Sequence, residues 1–438
     1  MRSLWTLRAT FVLAATALAV LTATGVGSSA TKARQAPTAV SGSITFDGVW
    51  TGAEAKAFGS VISAFNKVYP KVKVNYKPVG DNLPTVLSTA VQGGHPPDMA
   101  DIAQPGLVKQ FVDKGALKPI GYARTTLAKN FGSSWVKLGT FNKKVYGLVF
   151  KASNKSTVWY NVHAFKDAGV SGPRTWPQFL QTATTIKASG VPPYSIGGAD
   201  GWTLTDLFEN IYLRQAGPAK YAALTAHRIK WTDTSVTRAL HTMALIVGVS
   251  GNMAGGTSGA VQTDFPTSVN NVFQKPPKAA IVLEGDFVPG VATVKAKAGT
   301  DYNQFAFPSI NGSAPSVVIG GDTIVAFKDT PAIRAFVSYL ATPQAAAIWA
   351  KKGGFASGNT RLPASVYPDA TTRATATAIA RAKNVAFDMS DQQPASFGAT
   401  VGQGEWGLFQ DFLRKPSNVS GIQKKLESSA AAAYKKGK

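Results

Sequence analysis

The chain has 438 residues and no cysteine. That absence excludes a structural disulfide, a thiolate metal site and a lipid carried on an N-terminal Cys. Histidine is scarce, and His95, His163, His227 and His241 lack the spacing of metal ligands, so neither a metal nor another cofactor is expected. No G-x-x-x-x-G-K-S/T run is present to cradle phosphate. The glycine-rich "NMAGGTSGA" (252–260) has no strand before it and reads as a flexible loop. No G-x-S-x-G elbow marks a serine hydrolase. Beyond the N-terminus, no apolar run approaches the ~20 residues of a spanning helix. Acids are also few, with 23 Asp and Glu against 46 Lys and Arg and a net charge of +23.

What is present begins with a leader. Arg2 and Arg8 precede the apolar "ATFVLAATALAVL" (9–21), and Ser28 and Ala30 are the small residues of a signal-peptidase site. Residues 1–30 are expected to be a signal peptide cleaved after Ala30, and 31–42 a disordered lead-in. The protein is then exported, to the periplasm or cell surface, with no lipid anchor; an uncleaved signal is the other possible tether. The positive charge is spread evenly in runs no longer than pairs such as Lys143-Lys144, and no helix-turn-helix, zinc-finger or RNP-like run accompanies it. It reads as a solvated surface facing an anionic envelope, not as a nucleic-acid site.

Along the remaining chain, strands and helices alternate. "SITFDGVW" (43–50) alternates as a strand. Ala57, Phe58, Val61, Ile62, Phe65 and Val68 then recur at helical steps, and "KVKVNYKPV" alternates again. This is a β-α-β unit, whose crossover implies a parallel sheet. The pattern continues through a helix opened by Pro84, the strand "MADIA" and the helix "GLVKQFVDKGAL". "KVYGLVF" (144–150) and "STVWYN" (156–161) are strands with a polar "KASNK" between them, and "WPQFLQTATTIKASG" is a helix. Strands "AAIVLEGDF" (279–287) and "SVVIGGDTIVAF" (316–327), one helix over 331–353 and a C-terminal helix follow. Alternation of this kind places the chain in the α/β class, with length for two domains.

Two kinds of residue carry chemistry. Within the predicted strand "LEGDF", Glu284 and Asp286 share a face, because side chains repeat every two residues. A carboxylate pair of that kind opens a glycosidase reading. Of the nine tryptophans, Trp50, Trp202 and Trp406 stand beside Gly, Asp or Glu in "DGVWTGAE", "GADGWTLTD" and "GQGEWG". Aromatic faces beside carboxylates suit a sugar, which offers apolar C–H faces and hydroxyls together.

The segments "WTGAEAKAFGSVISAFNKVYP", "GGHPPDMADIAQPGLVKQFVDKGALKPI", "VYGLVFKASNKSTVWYN", "GWTLTDLFENIYLRQAGPAKY", "LEGDFV", "GGDTIVAF", "LATPQAAAIWAKKGGFASGN" and "FDMSDQQPASFG" run in that order from about residue 43 to the C-terminus. Together they resemble the solute-binding proteins of carbohydrate ABC transporters, the maltose-type extracellular family 1 and its α-glucoside-like branch. The resemblance implies a two-lobed periplasmic-binding-protein fold of type II, with hinge-linked lobes that close on a sugar. It places lobe 1 over 43–151 plus 305–355 and lobe 2 over 156–300 plus 360–438, with crossings near 150–156, 300–306 and 354–362. It implies a carbohydrate ligand, an ABC membrane permease as partner, a monomer, no nucleic acid and no catalysis.

Carried onto this chain, the family's contacts fall on Glu54, on Gln104 with Asp101, on Lys151 and Asn154 at the first crossing, on Glu284, Asp286 and Phe287, and on Asp322. Trp50 joins them as an aromatic beside the first loop. In "GWTLTDLFENIYLRQAG" the resemblance turns Leu207, Phe208 and Ile211 inward and presents Trp202 and Asp206 to the sugar. Asp206 is equally explicable as a helix cap, and Glu209 as a structural or surface acid. Asp286 and Phe287 stand where maltose-type members carry Pro and Trp, which counts against maltose itself as the ligand. Two further readings stay open: a glycoside-active enzyme using Glu284 or Asp286, and an envelope sugar sensor of the same fold.

Overall fold

The computed structural model describes residues 39–381 and 384–436. The expected signal peptide lies outside these residues, as does the lead-in up to residue 38. Val40 is already buried, and strand β1 (Gly42–Gly48) opens before the lead-in was expected to end. The helix Gly52–Val68 buries Ala57, Phe58, Val61, Ile62 and Phe65, the stripe that its three- and four-residue spacing dictates. It leads to β2 (Val72–Pro78), parallel to β1 with Ile44 opposite Val74. The helix Leu83–Gln92 carries Pro84 in its first turn, where a missing N–H is harmless. β3 (Met99–Ile102) then lies on the other side of β1, also parallel. A short hairpin, β4 (Thr140–Phe141) with β5 (Lys144–Val145), precedes β6 (Gly147–Asn154), which is buried along its whole length.

The chain then enters a second sheet. β7 (Thr157–Asn161) pairs antiparallel with β9 (Ile281–Leu283) and with β10 (Tyr302–Ala306), and β8 (Tyr194–Ser195) adds parallel to β9. β11 (Ser316–Ala326) returns to the first sheet and is its spine. Its first part pairs with β12 (Asn384–Phe387), its last part with β3, and its other edge runs antiparallel along β6 from Ile319 to Val325. One end of β11 therefore sends Val318 into one core and the other sends Ile324 and Ala326 into another.

Those two cores are the interiors of two α/β lobes. In the first, Phe46 meets Phe58 edge-to-face at 5.4 Å, with Phe65, Phe336 and Trp349 around them. In the second, Leu204, Leu207, Phe208 and Ile211 pack with Trp231 and Phe409. Burial of each such side chain contributes about 1.5–3 kcal/mol. Among the described residues no helix is long and apolar enough to cross a membrane.

Several local expectations change. "KASNK" is not a polar connection, since β6 continues through Asn154 and buries Lys151, Ser153 and Asn154. β9 stops at Leu283, so Glu284 and Asp286 lie in a turn and the two-residue alternation does not apply to them. The helix expected over 331–353 is two, Pro331–Leu340 and Pro343–Ala350, because Pro343 cannot continue a helix and Thr342 caps the next one. "NMAGGTSGA" is not an open loop: it leads into the helix Gly256–Gln262, with Met253 and Ala260 buried.

Candidate ligand-binding cleft

The floor of the cleft is made where β6 and β11 run side by side. Lys151 and Asp322 are opposed across the pair, next to a register shift between Asp322 and Thr323. Gly321 keeps the strands this close: a Cβ there would meet Val149 Cγ1 at 2.7 Å. Side chains at 151 and 153 share one face of β6, and both residues, with Lys155 just past its end, line a cavity of about 270 Å³.

The two lysines line the same cavity but pair with different acids. Lys151 Nζ donates to Glu54 Oε1 at 2.7 Å and lies 3.5 Å from Asp322 Oδ2. Asp322 Oδ2 also accepts from Trp50 Nε1 at 2.6 Å. Burial alone would pull the Lys151 ammonium down, but Glu54 and Asp322 outweigh it and hold its pKa above the ordinary value. Burial raises Glu54, against the pull of Lys151. Glu54 sits in the first turn of its helix, the end where a negative charge is stabilised.

Lys155 turns into the second lobe, with Nζ at 3.2 Å from Asp206 Oδ1, 2.5 Å from Asp388 Oδ2 and 3.7 Å from Asp391 Oδ2. These acids outweigh burial and raise the Lys155 pKa. Asp388 is held below the ordinary carboxylate range: burial would raise it, but Lys155 prevails. Asp206 is pushed up to about 8, chiefly by burial. Asp206, Glu209 and Asp388 bring ligand oxygens within 4.8 Å of one another. Most of their oxygens are engaged: Glu209 accepts from the Met389 and Ser390 amides and from Tyr221 Oη, Asp388 and Asp206 Oδ1 accept from Lys155, and Asp206 Oδ2 is left without a hydrogen bond. The cluster is a nest for an ammonium, and no metal is assigned to it.

The opposite wall is aromatic. Gly201, at φ 80, caps the helix Trp202–Thr225 and swings Trp202 into the cavity. The Trp202 ring meets Phe265 edge-to-face at 4.9 Å, and Phe287 lies 6.1 Å away. Lys155 Nζ lies 5.6 Å from the Trp202 ring and Lys151 Nζ 5.0 Å from the Phe287 ring, both within cation–π range. Trp202 Nε1 donates to Asp81 Oδ2 at 3.1 Å, which ties the second lobe to the loop after β2 in the first. Asp200 and Asp264 complete a rim of carboxylates, and burial pushes Asp200 up to about 7.

Of the residues singled out from the sequence, the cavity gathers Trp50, Glu54, Gln104, Lys151, Trp202, Phe287, Asp322 and the tryptophan of "GQGEWG", Trp406. Gln104 stands at the N-cap of the helix Pro105–Asp113 without a side-chain cap bond. Trp50 is 1% exposed, its ring held by Phe58 and Trp349. Four others lie outside the lining. Asn154 bonds the Ser156 amide, and the Asp286 amide donates to the Asn154 carbonyl. Glu284 is raised by burial and by the neighbouring Asp206, and Asp286 is raised by burial to about 7. Asp206 is neither cap nor lining: the cap is Gly201, and Asp206 is spent on Lys155. Glu209 is a fully buried structural acid. Asp101 accepts from the Val49 amide at 2.8 Å and braces the loop that carries Trp50.

The sequence reading missed Lys155, Ser153, Asp81, Asp200, Phe265 and Asp391. The strand parity shared with Lys151 was the available signal for Ser153. Asp81 and Asp391 sit in "GDN" and "SDQ", which read as ordinary turn and cap chemistry.

With this geometry in hand, comparison with known proteins gives consistent matches. Residues 50–347 match the family model of the bacterial extracellular solute-binding proteins. The osmoprotective compounds-binding protein GgtB of Synechocystis is 31% identical over 363 residues, covering 81% of this chain and 85% of its own. The alpha-glucosides-binding periplasmic protein AglE of Rhizobium meliloti is 30% identical over 403 residues, covering 88% of this chain and 87% of its own. Among solved structures, the bacterial solute receptor AcbH superposes with a TM-score of 0.79 at 20% identity, over 90% of this chain and 99% of its own. RafE in complex with raffinose superposes with a TM-score of 0.72 at 18% identity, over 90% and 100%.

Proposed function

The chain belongs to the bacterial extracellular solute-binding proteins, and from that premise we propose that it captures a sugar of the α-glucoside class between its lobes and delivers it to an ABC permease. The observation that carries this reading is the cleft's composition: the Trp202 face opposes a floor of Glu54, Lys151 and Asp322. Rings suit the apolar face of a pyranose, and charged groups suit its hydroxyls. A volume of about 270 Å³ is at the small end for a ligand site and favours a disaccharide over a long oligosaccharide. AglE, an alpha-glucosides-binding protein 30% identical over most of this chain, supports the same class.

In this reading Glu54, Asp81, Gln104, Lys151, Lys155, Trp202, Phe287 and Asp322 touch the ligand. Trp50, Asn154, Asp206, Glu284 and Asp286 support the wall from behind. We place the passages between lobes at 154–157, where β6 leads into β7 of the second sheet, and within β11, which puts Val318 in one core and Ile324 in the other; this moves the crossing expected near 300–306, because Tyr302–Ala306 still pairs with β7, and keeps the one expected near 354–362. The protein acts as an exported monomer without turnover. The position of Glu284 and Asp286 away from the cavity lining weighs against a hydrolase.

Calorimetric titration against mono-, di- and oligosaccharides, with product analysis, tests the proposal. The expected outcome is one-to-one binding of one sugar recovered intact, weakened about tenfold or more by Trp202→Ala, a loss of ~1.4 kcal/mol. Cleavage of the bound sugar would install the enzyme reading, and no heat across the panel would remove the sugar reading.

A further inference from the structure

A second cavity, of about 580 Å³, shares no lining residue with the cleft. Its walls come from the segments that join the two sheets: the β6–β7 passage, the approach to β11 and the helix Ala370–Arg381. Phe305, Phe307 and Val317 make it largely apolar, and Arg214 and Arg174 line it. Among the described residues no Asp or Glu does.

Arg214 is the unusual member. It is only 7% exposed, its Cζ lies 4.6 Å over the Phe307 ring, and its acceptors are all neutral. Nη1 donates to Asn210 O and Oδ1 at 3.1 Å, and Nη2 to the Ser316 carbonyl at 2.8 Å and the Phe307 carbonyl at 3.4 Å. Among the described residues no carboxylate pairs with it, and its Nε carries no hydrogen bond. Elsewhere in this molecule the buried cations have acids: Lys151 has two within 4 Å and Lys155 three. Burying a charge without a counter-ion is costly, and carbonyl dipoles offset only part of that cost. The burden shows in the depressed Arg214 pKa, whose cause is burial.

We propose that this cavity is a second binding site, for a small organic anion whose acidic head lies against Arg214 and whose apolar body lies along Phe305 and Phe307. A bare inorganic ion would leave most of the volume and the apolar wall unused, so an organic body is part of the ligand. The site is independent of the sugar reading.

The test uses the full chain at fixed ionic strength, with benzoate, phenyl phosphate and the neutral benzyl alcohol as probes. Binding is followed by calorimetry and by the fluorescence of Trp176, whose ring stacks on Phe307 at 6.0 Å. The expected result is binding of benzoate or phenyl phosphate at least tenfold tighter than benzyl alcohol, and the stronger of the two names the head group. Ala378→Phe, which fills the cavity without touching the charge, is expected to abolish it, and Arg214→Gln to weaken it at least tenfold. Should Arg214→Gln fail to fold, Ala378→Phe alone decides. Equal binding of the neutral probe, binding that Ala378→Phe leaves unchanged, or no binding would each overturn the proposal.

Discussion

Single side chains at the junction of the lobes hold opposed charges at close range, and their removal has asymmetric consequences. Lys155 is the one ammonium among Asp206, Asp388 and Asp391. Lys155→Met keeps the length of the stem but removes the counter-charge of this acid cluster, in which Asp388 is held ionised. It is expected to destabilise by about 3–5 kcal/mol, measured by denaturant unfolding at neutral pH. The loss should shrink in acid, where those carboxylates protonate. Asp286 gives a cleaner titration. Its carboxyl, 3% exposed, is raised by burial from 3.8 to about 7. The folded state therefore binds a proton that the unfolded state releases, and this group's contribution to stability falls as pH rises through that window. Asp286→Asn removes the fall. Thermal midpoints of wild type and variant are expected to lie close together near pH 4 and to separate in favour of the variant near pH 8; a gap that does not change with pH would refute the linkage.

At the scale of elements, apolar periodicity carried most of the fold. The stripe Ala57–Phe65 and the alternation in 72–76 pointed at their core, because spacing decides which face of a helix or strand is buried, whereas the inward triplet Leu207, Phe208 and Ile211 came from the family resemblance. Periodicity misled where charge and burial coincide. Lys151 to Asn154 read as a polar connection between strands rather than as buried strand, since the acids that neutralise Lys151 come from positions 54 and 322. No local window contains those partners. The same limit put Glu284 and Asp286 on a strand that ends one residue earlier. In 331–353 a continuous apolar pattern concealed a boundary that lies in the hydrogen bonds: Thr342 accepts from the Ala345 amide and starts a new helix. Thr342→Ala is expected to cost about 1 kcal/mol, read from urea unfolding, with the fold otherwise intact.

For the whole molecule, the cleft is assembled from segments far apart in the chain, and several of its residues, named or missed, have partners that only the folded lobes supply. Trp202 and Asp81 are 121 residues apart and meet only when the lobes do. The distribution of charge is likewise a property of the fold. Ten of the 23 acids are buried: Asp101, Asp206, Glu209, Glu284, Asp286, Asp301, Asp322, Asp388, Asp391 and Glu405. The exterior is therefore more cationic than the sum of +23 conveys. Co-sedimentation with phosphatidylglycerol vesicles is expected near 10 mM salt and to be largely lost near 150 mM, where the screening length is about 8 Å.

That inward gathering of acids changes the geometry of search. If the vesicle binding holds, a particle whose skin is predominantly cationic is held loosely against an anionic sheet without a preferred footing, so it can roll and glide instead of docking. Its hunt for a target embedded in that sheet becomes a walk in two dimensions, and the hidden carboxylates set how long each walk lasts.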